Sequence, residues 1–282
     1  MFLRNFLLVA LALPMCVDVA AQHRSFSIIP KAGLSASNII DESHVFVNYA
    51  FSERLNEDDL PIAISDPDLT SESMFLILYD AKYRIGYEGG VDFQWRRNER
   101  WAFVAGVGYS LQGCKFETNP YTPGPRVGQN TWDVKDVQID LHYLNVPALA
   151  RLYVGHGFAM NFGLQVGWLF KANFKSHLGY SFAKSGEYYV VFVSDDRLES
   201  VEAGKLYERD VKCDIKDRFF PVDISMPLGF SYEFGHYVAD ARVNIGLMDI
   251  SDTYTISYRS YEATMRNIGF TLSFGYRFDF EH

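Results

Sequence analysis

Two sets of residues in this chain could carry chemistry. The first pairs a hydroxyl with an imidazole: Ser176 precedes His177, and Asp140 lies two residues before His142. Acyl transfer needs a serine activated by a histidine within hydrogen-bond reach, usually with a third group orienting the ring. Both histidines fall near the outer ends of segments that alternate with period two, where neighbouring side chains point to opposite faces. Ser176 and His177 are therefore no ready dyad, which leaves His142 with Asp140. A lipid-directed hydrolase at the rim is the weakest functional reading. His142 and His177 could meet across strands, but no thiolate or carboxylate spacing completes a metal-binding set. The glycines form no phosphate-binding fingerprint. No catalytic, cofactor or metal residues are expected.

The second set is ionic. Lys31, Arg84, Glu88, Asp92, Asn145, Arg151, Lys171, Asp223, Glu233, Asp240, Arg242, Arg277 and Asp279 all fall on the polar side of alternating segments. Both signs occur in similar number. Such a face can form a core of ion pairs and hydrogen bonds or line a charged path for ions. The first is favoured, because an interior enclosed by eight strands is nearly filled by side chains.

The segments that must position these residues read as strands. In the run from Asn267 to Phe280, Ile268, Phe270, Leu272, Phe274, Tyr276, Phe278 and Phe280 alternate with small, polar or charged residues. Period two gives a strand with one apolar and one wet face. Seven more segments follow the rule, at about Ser25–Asn38, Met74–Trp95, Trp101–Lys115, Val137–Val154, Phe158–Lys175, Arg218–Phe234 and Tyr237–Ile250. Strand four loses its parity near Asp140 and His142, so it either bulges there or already stands above a membrane. Pro30, Pro147, Pro221 and Pro227 fall inside strands, where each removes a ladder donor. Short turns follow strands two, four and six. Longer loops, roughly 39–73, 116–136, 176–217 and 251–265, follow the others.

Arg4, the apolar run from Phe6 to Leu13 and the small residues Val19-Ala20-Ala21 read as a secretory signal over residues 1–21, leaving one domain over 22–282. No later run reaches the roughly 18 apolar residues of a membrane helix. A closed barrel is the other structure that satisfies every backbone polar group in lipid. Aromatic residues make up 16% of the chain, with 18 Tyr and 23 Phe, which suits interfacial girdles. The net charge of −9 argues against nucleic acid as a partner. Cys114 and Cys213, both in outer loops, could form a disulfide only by crossing the barrel mouth. The first loop is strongly acidic, from Asp41 and Glu42 to Glu72 and Asp80, and reads as a solvated face or a surface for a basic partner.

Tyr143-Leu144-Asn145-Val146-Pro147-Ala148-Leu149-Ala150-Arg151-Leu152-Tyr153 resembles a stretch of the PorT-like outer-membrane β-barrel proteins of Bacteroidetes. Pro30-Lys31-Ala32-Gly33-Leu34-Ser35-Ala36-Ser37-Asn38-Ile39 looks like that family's opening strand, and Gly275-Tyr276-Arg277-Phe278 is similar to its closing one. Asn145 stands where the family often has Glu, and Ser35 where it often has Asn. The resemblance covers nearly the whole mature chain. It implies an eight-stranded outer-membrane barrel and no single activity, although a few members are linked to protein secretion.

The expected fold is therefore all-β: an eight-stranded antiparallel up-and-down transmembrane barrel, with short periplasmic turns and long extracellular loops, in the outer membrane of a Gram-negative bacterium. Its expected partners are outer-membrane lipid and a protein at the extracellular loops; its oligomeric state stays open. The leading function is a non-enzymatic barrel whose outer loops bind or scaffold a partner. A narrow passive porin comes next. A secreted lipocalin-like barrel with the apolar face inward is the soluble alternative.

Overall fold

Alternation along the chain becomes a ring of strands. The computed structural model describes residues 25–41, 78–118, 131–181, 188–192, 198–202, 206–251, 254–256, 259–261 and 265–281. The expected signal segment and most of the acidic first loop lie outside the described residues. The strands are β1 (Ser25–Asp41), β2 (Leu78–Arg96), β3 (Trp101–Thr118), β4 (Thr131–Gly155), β5 (Phe158–Ser181), β6 (Tyr188–Phe192), β7 (Leu198–Glu202), β8 (Leu206–Asp214), β9 (Val222–Phe234), β10 (Tyr237–Gly246), β11 (Tyr254–Ile256), β12 (Arg259–Tyr261), β13 (Met265–Tyr276) and β14 (Phe278–Glu281). Antiparallel pairing runs β1–β2–β3–β4–β5–β9–β10–β13, and β13 pairs back onto β1. Eight strands close the ring, with no edge left for lipid to meet. No described helix is long and apolar enough to cross a membrane.

Two strands extend the ring. β14 continues β13 along β1. β8 lies above β9 on the same flank of β5: β9 pairs with Phe158 to Trp168, and β8 with Asn173 to Ser181. The expected sixth strand thus starts later, at Val222, after a short 3-10 helix at Lys216–Arg218. The seventh ends earlier, at Gly246. β6 with β7, and β11 with β12, form separate two-stranded hairpins.

The turns at the other end are tight. β4 passes to β5 through Gly155, His156 and Gly157, at φ 131°, 49° and 82°. Such angles suit glycine far better than residues with a Cβ. Gly235 at φ 61° does the same between β9 and β10.

Three prolines sit where the ladder to one neighbour lapses. Pro30 lies opposite the break between β13 and β14. Pro147 falls in the gap between the Ala105–Ala148 and Gly108–Asn145 pairs. Pro227 falls in the gap between the Phe162–Leu228 and Gln165–Ser225 pairs. A residue without an N–H is placed where the ring makes no bond. Pro221 precedes β9 and lies outside the ladder.

The outer surface is a band of apolar side chains. Leu34, Ile85, Leu164, Phe230 and Leu272 are among the most exposed, and their strand neighbours are buried or half-buried. Aromatic rings collect at both margins. Phe26 meets Trp95 at 5.3 Å and Phe280 at 6.0 Å near the turns. Tyr109 meets Tyr87 at 5.7 Å and Phe170 at 6.0 Å near the opposite margin. An apolar exterior between aromatic girdles is the surface a bilayer wets, and the inward-facing soluble arrangement is excluded by it.

Leu272 is 65% exposed and pairs with Leu34, at the middle of the band. Leu272→Arg should destabilise the barrel in vesicles by about 2–4 kcal/mol, measured as a shift in the urea unfolding midpoint. An unchanged midpoint would mean that this face does not meet lipid.

Candidate functional site

The inner face has two storeys. Toward the short turns it is ionic. Arg151 projects from β4 and is 1% exposed. Its Nε donates to Asn161 Oδ1 at 2.8 Å, and its Nη1 to Gln94 Oε1 at 2.6 Å and Glu233 Oε1 at 3.1 Å. Its Nη2 lies 3.5 Å from Asp240 Oδ2. Tyr153 donates its hydroxyl to Glu233 at 2.5 Å, Asn161 Nδ2 donates to Asp240 at 2.9 Å, and Arg277 pairs with Glu233 as well. Arg277 Nε reaches Asp279 at 2.9 Å, and Ser27 donates to Asp279 at 2.7 Å.

A second cluster lies deeper. Lys31 Nζ is 2.8 Å from Asp92 Oδ2, Arg242 Nη2 is 3.4 Å from the same oxygen, and Arg242 Nε is 2.5 Å from Asp240 Oδ1. Asp240 thus joins the two clusters. Glu88 lines a small cavity of about 30 Å³ with Lys31, Asp92, Arg242 and Asn145. Asn145 donates to Ser110 Oγ at 2.7 Å. Asp223 accepts from Asn267 Nδ2 at 2.9 Å, and the same amide reaches the Tyr143 hydroxyl at 3.2 Å. Charges this deep are stable only when paired and hydrogen-bonded. The arrangement binds the strands to one another.

Above this the inner face turns apolar. Val137, Ile139, Leu141 and Tyr143 of β4 pack with Leu169, Ala172 and Phe174 of β5, and with Ile39, Ile215, Phe219, Ile250 and Met265. Leu141, Leu169 and Ile250 are completely buried. This plug accounts for the loss of parity seen in strand four. Its odd positions are buried throughout, from Val137 to Tyr153. What changes is the polarity of the inside. Asp249 closes the plug's edge, accepting from Ser251 N and Met265 N at 2.9 Å each.

Two sequence expectations fall elsewhere. Lys171 is exposed on the outside. His142 pairs with Lys171 but Tyr143 with Leu169, so Phe170 is an extra residue in β5, a bulge that shifts the next side chain to the other face. Arg84 is buried in register with the equally buried Ser37 of β1, between the exposed Tyr83 and Ile85. Its Nε reaches Asp140 Oδ1 at 2.8 Å, past Gly113 of β3, which is paired with Asp140. The second is the disulfide. Cys114, Ile139, Phe174 and Cys213 form one cross-strand row. Three strand spacings of about 4.8 Å separate the two cysteine backbones by on the order of 14 Å, twice the reach of a disulfide. The structure holds no bridge between them.

The rim histidines are engaged separately. His142 Nδ1 lies 2.8 Å from Tyr109 Oη, and His177 Nδ1 lies 2.8 Å from Asp210. Ser176 is buried on the opposite face from His177. Asp140 is held by Arg84 and by Lys175 Nζ at 2.7 Å. Asp140 stands beyond the outer girdle. Burial works against its ionisation, yet hydrogen bonds from Lys175 and Gln138 and the charge of Arg84 prevail and keep its carboxyl below the usual range. Among the described residues no three His, Cys, Asp or Glu side chains gather to hold a metal ion.

A closed antiparallel ring with an apolar exterior and a packed interior agrees with the sequence comparison. The family model described as "Outer membrane protein beta-barrel domain" matches residues 20–252. The chain belongs to this family of outer-membrane β-barrels. No curated protein matches it in sequence. Similar solved structures include Ail, the attachment invasion locus protein of Yersinia pestis, at 12% identity, covering 92% of this chain and all of that one, with a TM-score of 0.33. The outer membrane protein OprG from Pseudomonas aeruginosa is 11% identical over 93% of this chain and 99% of that one, with a TM-score of 0.36. The toluene transporter TodX of P. putida is 10% identical over 93% and 91%, with a TM-score of 0.25. Likeness at this level carries no statement about activity.

Removing one member of the Arg151 cluster should expose its importance. Arg151→Met leaves Glu233 and Asp240 short of a buried cation and should cost about 3–5 kcal/mol. Adding Glu233→Gln should recover part of that loss. A double-mutant cycle in urea checks this; strict additivity of the two losses would show that the pair is not coupled.

Proposed function

We propose that this chain is a non-enzymatic, plugged outer-membrane barrel that works through its extracellular side, where its long loops bind or scaffold a protein partner. The observation that carries this reading is the double closure of the lumen, by ion pairs below and by the apolar plug of Leu141, Leu169, Phe174 and Ile250 above. Both storeys oppose a solute path, so the passive-porin reading is second. The long wall of β4, β5 and β8 supports an outward role, since 25 and 24 residues in β4 and β5 exceed the 9–11 or so that cross a bilayer. The separation of Ser176 from His177 weighs against hydrolysis. The PorT-like motif over Tyr143–Tyr153 favours a secretion-related partner, and export through a cleaved segment at 1–21 fits this placement.

Planar-bilayer recording tests the reading. The refolded chain should migrate as a heat-modifiable barrel on a gel yet give no steady conductance. Stable single-channel steps would instead establish an open bore and promote the porin.

A further inference from the structure

The extracellular wall ends in a strand edge that no other described strand covers. Beyond the girdle β5 carries β8, and the two pair without a break from Asn173–Asp214 to Ser181–Leu206. Among the described residues β8 pairs with β5 alone. The place beside it stands above the end of β10 at Gly246, where the chain bends inward to bury Ile250 in the plug. The wall's other edge, on β2, is guarded. A register shift falls between Tyr79 and Ala81, and Asn38 Nδ2 donates to Ala81 O at 3.0 Å. Bulges and covering groups of that kind keep foreign strands off an edge. β8 has neither bulge nor proline over Leu206–Asp214, a length of roughly 27 Å at about 3.4 Å per residue.

The backbone groups on this edge can be assigned. Ile215 N donates to Ala172 O at 3.1 Å, one step past the Asn173–Asp214 pair. Backbone groups of an antiparallel strand alternate between its two sides. The odd residues of β8 therefore bond to β5, and Glu208, Asp210, Lys212 and Asp214 turn their N–H and C=O groups to the open side. These four share one parity, three acids to one base. Asp210, Lys212 and Asp214 are exposed. Asp210 meets His177 Nδ1 at 2.8 Å, yet its side chain remains 91% exposed. Asp214 Oδ1 accepts from Lys216 N at 3.0 Å. The balance along the edge is acidic. Cys213, at the other parity, packs against the plug. Nearer the tip Trp132 is paired with Tyr180, and Tyr180 with Tyr207, so a row of aromatic residues ends at the open edge.

We propose that β8 is a docking edge for an extended segment of a protein partner, which adds a strand to the wall and sets basic residues opposite Asp210 and its acidic neighbours, with apolar residues between them. In strand addition the main-chain bonds supply affinity and the alternate side chains supply selectivity. Opposite charges on facing strands stabilise the pair, and the apolar positions of the added strand meet the Cys213 side of the sheet. The inference rests on the reading of the extracellular side as a partner-binding surface and adds how the partner is held. A conducting bore strikes that wider reading, whereas loss of strand addition strikes the edge alone.

The test uses the full refolded chain in uncharged detergent and a labelled peptide of alternating lysine and valine, with binding read by fluorescence polarisation. Lys212→Pro removes an edge N–H while leaving the ladder to β5 intact, a place where a strand tolerates proline. It also makes the edge more acidic, so electrostatics alone would strengthen binding. Affinity should instead fall about tenfold, and Lys212→Gln, which keeps the N–H, should not weaken it. Asp210→Asn should lower affinity about threefold. The same peptide N-methylated at its lysines should bind the unaltered chain about tenfold more weakly. Equal binding of the methylated peptide would overturn the proposal by showing that charge alone is read. Undiminished binding to Lys212→Pro would overturn it too. So would no binding of the lysine–valine peptide to the unaltered chain, the result expected if the chain's own loops occupy the edge. Heat-modifiable migration reports whether Lys212→Pro folds, and the methylated peptide decides the matter on the unaltered chain if it does not.

Discussion

Everything in this barrel depends on closing the ring, which β1 and β13 do over eleven paired positions from Lys31 to Asp41. In a bilayer no water waits to satisfy a bare strand edge. Closure fixes the number of strands, and the number of strands fixes the bore. A bore this narrow must be filled by the chain's own side chains. The ionic and apolar storeys are two answers to that requirement. Polar inner residues were available toward the turns, where Arg151 and Asp240 link strands far apart in sequence. Nearer the extracellular mouth Leu141, Leu169 and Ile250 fill the same space by packing.

Membrane strands usually separate a greasy outside from a wet inside, and this rule made most of the fold legible. It placed all eight ring strands and their tight turns, although β4 begins and β5 ends six residues beyond the expected limits. It failed where the environment ceased to follow it. In β4 the apolar residues move from even positions, such as Leu144 and Val146, to odd ones, such as Leu141, Ile139 and Val137. The strand is continuous, but beyond the girdle the outside is aqueous and the inside is oily. The swap is visible in the sequence as a phase break. Only the contacts reveal that it means a plug.

A bulge explains the side chain assigned to the wrong face. Parity extrapolated along β5 sends Lys171 inward, since nothing in Trp168-Leu169-Phe170-Lys171 announces an extra residue. The register against His142 and Tyr143 does.

The oily upper storey has a consequence for protons. A proton crosses a narrow pore by hopping along an unbroken file of hydrogen-bonded waters, and an acidic or basic side chain can serve as a relay. The lower storey offers such relays in abundance, with Glu88, Asp92 and Asp240 close together. The plug above them is built from hydrocarbon side chains, Leu141, Ile139, Leu169 and Ile250, which can neither take up nor pass on a proton. A relay that began among the ion pairs would meet an oily stop one storey up.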